Sequence, residues 1–175
     1  MLVVGGGYTG QRFAERLRQL GADVVVTHRR PASAPGELPF DSSTGLLPSA
    51  AELQGISHLL ITAPPDRQGK DPCLSSLKPL LEDLPVQWAG YLSTTGVYGD
   101  QQGRWVDETT TPAADLLPRS QARLDCEQAW INSGWPVQVF RLPGIYGPGR
   151  NSLLALQRGD ARHVHKPGQV FCRVH

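Results

Sequence analysis

The chain has 175 residues, of which 39% are hydrophobic and 19% charged, values that fit one globular unit and exclude charge-driven disorder. A formal net charge of +1 offers no sequence-wide attraction to nucleic acid or to an anionic membrane. The longest apolar runs, such as Leu59-Leu60-Ile61, fall far short of the roughly 20 residues that span a bilayer.

In chain order, Leu2-Val3-Val4 reads as a short buried strand that runs into Gly5-Gly6-Gly7-Tyr8-Thr9-Gly10. Phe13, Ala14, Leu17 and Leu20 follow at helical spacing, and Gly21 suits the helix C-terminus. Ala22–Thr27, with Val24-Val25-Val26 at its centre, is a β-branched run typical of a strand covered on both faces. A strand end at Leu38–Asp41, a short helix at Ser49–Leu53 and a fourth strand at His58–Ala63, stopped by Pro64-Pro65, come next. Leu74, Leu77, Leu81 and Leu84 mark a helix, and Trp88–Thr94 a fifth strand. After a loop over about Gly99–Pro118, a helix carries Ala122, Cys126, Ala129 and Trp130 on one face and stops at Gly134; Val137–Leu142 is a sixth strand. Strands alternating with helices imply an α/β fold with a parallel, doubly wound sheet of Rossmann type. No linker divides the chain, so 1–175 is expected to be a single domain, irregular over 151–175.

Gly5, Gly7 and Gly10 form G-x-G-x-x-G between a strand and a helix. The first glycine permits the tight turn, the second lets a pyrophosphate approach the backbone, and the third allows close helix–strand packing. The helix-start amides then face the phosphates. The alternative is a merely tight turn. Where NAD-binding chains offer a carboxylate after strand two, this chain has Thr27-His28-Arg29-Arg30. A guanidinium there suits a 2′-phosphate, so NADP is expected ahead of NAD, with Arg29 as its contact; the alternative is that both arginines are ordinary loop charges. Further candidates for cofactor contact are Tyr8, Thr9, Asp41, Ala63, Pro64, Arg123 and Pro143. The three cysteines, Cys73, Cys126 and Cys172, stand far apart without C-x-x-C spacing; reduced thiols in a cytoplasmic protein and no metal site are expected. The N-terminus lacks a basic region followed by an apolar stretch, so no secretory signal is expected.

Leu92-Ser93-Thr94-Thr95-Gly96-Val97-Tyr98-Gly99-Asp100 and Arg141-Leu142-Pro143-Gly144-Ile145-Tyr146-Gly147-Pro148-Gly149-Arg150, with the glycine turn, Glu108 and Glu127, resemble the atypical and extended short-chain dehydrogenases. This is the NAD(P)-dependent nucleotide-sugar epimerase/dehydratase group. The resemblance implies a Ser or Thr after strand five and a Tyr-x-x-x-Lys helix as the catalytic parts. Aligned on Val97-Tyr98-Gly99 and Glu127, Thr94 takes the first place, while Arg119 and Arg123 take those of the tyrosine and lysine. Arginine stays protonated and cannot exchange a proton as the tyrosine does. Arg123 retains the capacity to hydrogen-bond a ribose and Arg119 to bind an anion; alternatively both are solvated charges. Tyr98 and Arg150 are substrate candidates. The resemblance also implies that the C-terminal substrate lobe is truncated here, and that the surface it would cover is apolar.

Two functional classes follow. One is an epimerase/dehydratase-like oxidoreductase acting on a nucleotide sugar or related carbonyl or hydroxyl compound, with a degenerate site. The other is a non-catalytic NADP-binding regulatory module. Neither involves nucleic acid or a membrane, and the oligomeric state is not readable from these residues.

Overall fold

Leu2, Val3 and Val4 expose none of their surface, so the first strand, β1 (Leu2–Val4), is covered on both faces. It is also paired on both edges, with β2 (Val25–His28) on one side and β4 (His58–Ile61) on the other. In the computed structural model, which describes residues 1–163, 165, 168 and 170–175, β3 (Glu37–Pro39), β5 (Trp88–Thr94) and β6 (Val137–Leu142) complete a six-stranded sheet. All strands run parallel in the order β3-β2-β1-β4-β5-β6. The expected doubly wound sheet is therefore present, and its order reverses beside β1, where open sheets of this kind form a crevice.

Helix α1 (Tyr8–Gln19) buries Ala14, with Phe13 and Leu17 partly buried, against Val3, Val26 and Leu60. Leu20, expected on that face, is 66% exposed, because it lies past the last helical turn at the C-cap. On the opposite face, α2 (Lys78–Leu81) and α3 (Pro118–Ile131) place Leu81, Cys126 and Trp130 on Leu2, Leu59, Ile61 and Tyr91.

Several elements differ from expectation. The helix expected over 74–84 opens as a π turn, Cys73–Leu77, before α2. Pro79 has no N–H to give the carbonyl of Ser75, which disfavours α-helical register there. Ser49 and Glu52 cap each other reciprocally, with Ser49 N–H donating to Glu52 at 2.8 Å and Glu52 N–H to Ser49 Oγ at 3.3 Å, yet only a turn follows. Gly55, with φ at +77°, takes the chain out of helical backbone after it. On α3, Ala129 is exposed and Glu127 is fully buried, so the packed stripe runs through Glu127. The segment 151–175 is more regular than expected. It contains α4 (Ser152–Gln157) and β8 (Arg173–Val174), which pairs with β7 (Gly144–Ile145). Leu153 and Leu156 on α4 are 78% and 69% exposed. Among the described residues no helix is long and apolar enough to cross a membrane.

Candidate functional site

The three glycines of the turn answer to different constraints. Gly5 has φ at +107°, and a Cβ there would stand 2.6 Å from Thr62 Oγ1; a Cβ at Gly10 would run into the carbonyl oxygen of Gly5. Both positions are set by the chain's own packing. Gly7 is not: its φ is −81°, and a Cβ would meet nothing within 4 Å. The turn is pinned from both neighbouring strands. Gly5 N–H donates to Thr27 Oγ1 at 3.0 Å, Gly6 N–H to Thr27 O at 2.8 Å, and Thr62 Oγ1 donates to Gly5 O at 2.7 Å. Ala63 N–H bonds Val4 O at 3.1 Å, holding the Ala63-Pro64 end of β4 beside the turn. Gly7 gives α1 no side-chain cap, so the first helical amides point their partial positive charge outward beside an open face, a favourable place for an anion.

At the end of β2 the two arginines part company. Arg30 is matched to Glu37 by two hydrogen bonds of 2.9 and 3.0 Å. With Ser33, Arg30 holds the Glu37 carboxyl down at about 2. Arg29 is exposed and makes no hydrogen bond among the described residues. Its charge contributes to lowering Asp41, whose carboxylate is held chiefly by Ser43 Oγ, at 2.6 Å. His28 lies over Gly6, where a Cβ would collide with its ring, and its Nε2 stands 3.1 Å from Gln11 Nε2.

At the end of β5, Thr94 Oγ1 accepts from Gly96 N–H at 3.1 Å and caps the 3₁₀ turn Thr95–Tyr98. Its hydroxyl proton is not used in that bond. Tyr98, a substrate candidate, is 5% exposed, and its hydroxyl donates to Asp107 O at 2.7 Å, so it packs under the 99–118 loop. Arg123 turns inward: Nη1 donates to Leu92 O at 3.0 Å and to Tyr91 Oη at 3.3 Å. Arg119, one turn earlier, is exposed, and its side chain makes no hydrogen bond among the described residues. The two arginines therefore do not act as a pair on one solvated face. Deeper in the same layer, Glu127 (0% exposed) receives Arg141 Nη2 at 2.8 Å and Nε at 3.1 Å, and the Arg141 guanidinium lies 4.9 Å over the Tyr98 ring. Asp71, raised by burial, accepts from Trp130 Nε1 at 2.9 Å and from the amides of Cys73 and Leu74.

After β6 the chain returns to α1. Beyond Pro143, Pro148 O accepts from Tyr8 Oη at 3.1 Å and Arg12 Nη2 at 2.9 Å, and Arg150 sits 5.5 Å over the Tyr8 ring. Arg150 also lines an open cleft of about 610 Å³ with Tyr146, Asn151 and Arg173. A neighbouring cleft of about 330 Å³ is lined by Tyr8, Thr9, Arg12 and Tyr146. Neither cleft is lined by Gly7 or Thr94. Of the candidate residues, then, the fold gathers Gly5, Gly7, Tyr8, Thr9, Gly10, Ala63 and Pro64 about one turn, and sets Arg150 against Tyr8.

Thr62, His28, Glu37 and the Glu127–Arg141 pair were not anticipated as parts of the site. Thr62 carried a usable signal, as the polar residue directly after a buried apolar strand. The contact of Glu37 with Arg30 depends on β2–β3 register, in which Val26 stands opposite Glu37, and linear spacing does not display it.

The family model of the pyridine nucleotide-disulphide oxidoreductases matches residues 1–58, the stretch from β1 to the start of β4 that holds the glycine turn. No curated protein sequence matches the chain. Among solved structures, a conserved protein of unknown function from Silicibacter pomeroyi is similar at 41% identity and a TM-score of 0.83, over 99% of this chain and 62% of that one. A protein named as an NAD-dependent epimerase/dehydratase from Methylobacillus flagellatus is similar at 26% identity and a TM-score of 0.68, over 90% of this chain and 57% of its own. MoeE5, solved with UDP-glucose and NAD, shares the fold at 24% identity and a TM-score of 0.69, over 90% of this chain and 58% of its own. The chain thus spans less than two thirds of the length of each. It has the nucleotide-binding fold of the NAD-dependent epimerase/dehydratase group of short-chain dehydrogenases, the group its motifs resemble.

Proposed function

We propose that the chain binds a nicotinamide dinucleotide on the Gly5–Gly10 turn, NADP ahead of NAD. In this reading it is an epimerase/dehydratase-like oxidoreductase for a nucleotide sugar or related carbonyl or hydroxyl compound. One observation carries the cofactor reading. Packing accounts for Gly5 and Gly10 but not for Gly7, whose open face lies beside uncapped helix amides at the reversal of strand order. Arg29, exposed at the end of β2, supports the 2′-phosphate preference. A neighbour of the same fold, MoeE5, was solved with NAD and UDP-glucose, which supports a nicotinamide dinucleotide and a nucleotide sugar here but not the 2′-phosphate preference. The buried thiols Cys73 and Cys126, both free, support a cytoplasmic protein.

Bound there, the cofactor would supply or accept hydride. The chain's own contribution is to hold the phosphates on the turn and to offer the Thr94 hydroxyl as a donor to a carbonyl oxygen. No tyrosine stands on α3 to move the accompanying proton.

A second reading, a non-catalytic NADP-binding module, is favoured by the engagement of Arg123 with Tyr91 and Leu92, which removes it from ribose duty. Calorimetric titration with NADPH, NADP, NADH and NAD tests the cofactor; absence of binding by all four would refute both readings. NADPH consumption against nucleotide-sugar and simple carbonyl substrates separates them. Turnover that disappears in Thr94→Ala establishes the enzyme, and binding without turnover the module.

A further inference from the structure

We propose that Glu37 is a specificity-determining residue for the cofactor. By matching Arg30 it leaves Arg29 as the cation at the end of β2 available to a 2′-phosphate, and so sets how strongly that phosphate is preferred. The inference rests on the NADP reading above.

Two adjacent arginines follow β2, but they are not equivalent. Arg30 Nη1 and Nη2 donate to the two oxygens of Glu37 at 2.9 and 3.0 Å, and Nη1 also reaches Ser33 Oγ at 2.6 Å and Pro31 O at 3.2 Å. Glu37 Oε2 additionally accepts from Ser33 N–H and Ser33 Oγ, each at 3.0 Å, and His28 Nε2 stands 3.5 Å from Oε1. A two-pronged guanidinium–carboxylate pair of this kind is geometrically selective and leaves little of either charge for a third group. Glu37 comes from the neighbouring strand, with β2–β3 pairing setting His28 opposite Pro39, so its carboxylate closes the Arg30–Gly36 loop onto the end of β2.

Two consequences follow for a dinucleotide. The Glu37 carboxylate already accepts from Arg30 and Ser33, so it does not serve ribose hydroxyls as the acidic residue of NAD-binding chains does. A phosphate arriving at the same place meets Arg29, whose side chain has a charge interaction with Asp41 but no hydrogen bond among the described residues, and Arg30, matched to Glu37. Removing the charge of Glu37 releases a second guanidinium into the phosphate's reach.

The test is calorimetric titration of NADPH and NADH into wild type, Glu37→Gln, Arg30→Ala and the double variant, with circular dichroism and melting to confirm folding. Glu37→Gln should tighten NADPH by about tenfold, the worth of one added charge-assisted hydrogen bond, and leave NADH within about twofold. The double variant should lose that gain. Arg30→Ala alone should weaken NADPH selectively, because it leaves an unmatched carboxylate facing the phosphate; this arm stands if Glu37→Gln folds poorly. An unchanged NADPH-to-NADH ratio in Glu37→Gln, a gain that survives in the double variant, or no NADPH loss in Arg30→Ala overturns the proposal and leaves the NADP reading intact. A wild type that binds neither nucleotide, or NADH alone, overturns both.

Discussion

Gly7→Ala separates a glycine kept for the chain from one kept for a ligand. In the free protein the added methyl meets nothing within 4 Å and the backbone φ of −81° suits alanine. Gly7 is the N-cap of α1, where alanine is poorer than glycine, so the expected loss of stability is under about 1 kcal/mol. For a chain of this size that is a fall in Tm of roughly 2–4 °C at most. A phosphate seated on the turn would meet the methyl, and losing one charge-assisted bond to it costs about 1.5–3 kcal/mol, or roughly 10- to 100-fold in Kd. NADPH and NADH should weaken alike, since both carry the pyrophosphate. Gly10→Ala is the contrasting control. Its methyl runs into the Gly5 carbonyl, and overpacking of this kind costs about 1–3 kcal/mol. The assays are calorimetric titration and thermal melting. A folded Gly7→Ala protein with undiminished affinity for both nucleotides would refute the placement of the pyrophosphate.

Arg29→Ala should weaken NADPH by about 10- to 100-fold, the worth of a charge-assisted bond, with NADH little changed; equal losses for both would remove Arg29 from the 2′-phosphate. Glu127→Ala leaves the Arg141 guanidinium without its buried partner and should cost about 3–5 kcal/mol, read from urea unfolding, and a loss under about 1 kcal/mol would show the pair to be unimportant to the fold. Glu37, held at about 2 against a usual 4.5, stabilises the fold fully above pH 4.5, and that contribution is lost as the pH falls towards 2; urea midpoints of wild type and Glu37→Gln should converge over this interval, and parallel curves would contradict it. Arg119→Tyr combined with Arg123→Lys should leave NADPH consumption near background even though a general acid–base group contributes 10²–10⁴ in rate, because position 123 is directed inward at Tyr91 and the Leu92 carbonyl and a lysine placed there does not pair with a tyrosine at the exposed position 119; robust turnover by the pair would argue that the dyad alone was lacking.

The strands were legible where apolar runs are bounded by turn residues. Trp88–Thr94 and Val137–Leu142 have the limits read from the sequence, and the order of glycines placed the turn. Legibility failed where a side chain's partner comes from a distant segment. Nothing in the α3 periodicity shows that Glu127 faces inward, because its burial is tolerated only through Arg141, fourteen residues on. Tyr98 carries a motif that points to a cleft, yet the carbonyl of Asp107 takes its hydroxyl. At Cys73–Leu81 the leucine spacing was correct for a helix, but one missing proline N–H changed its opening turn.

Thr27 and Thr62, at the ends of the strands flanking β1, grip the amide and the carbonyl of the same residue, Gly5. The turn is thereby organised before any ligand arrives, and the entropy of ordering it belongs to folding rather than to association. Binding at such a turn should show little change in backbone protection, and affinity there should respond to charge and shape far more than to flexibility. Replacing either hydroxyl by a methyl, in Thr27→Val or Thr62→Val, would transfer that ordering cost to the binding step without touching a ligand contact.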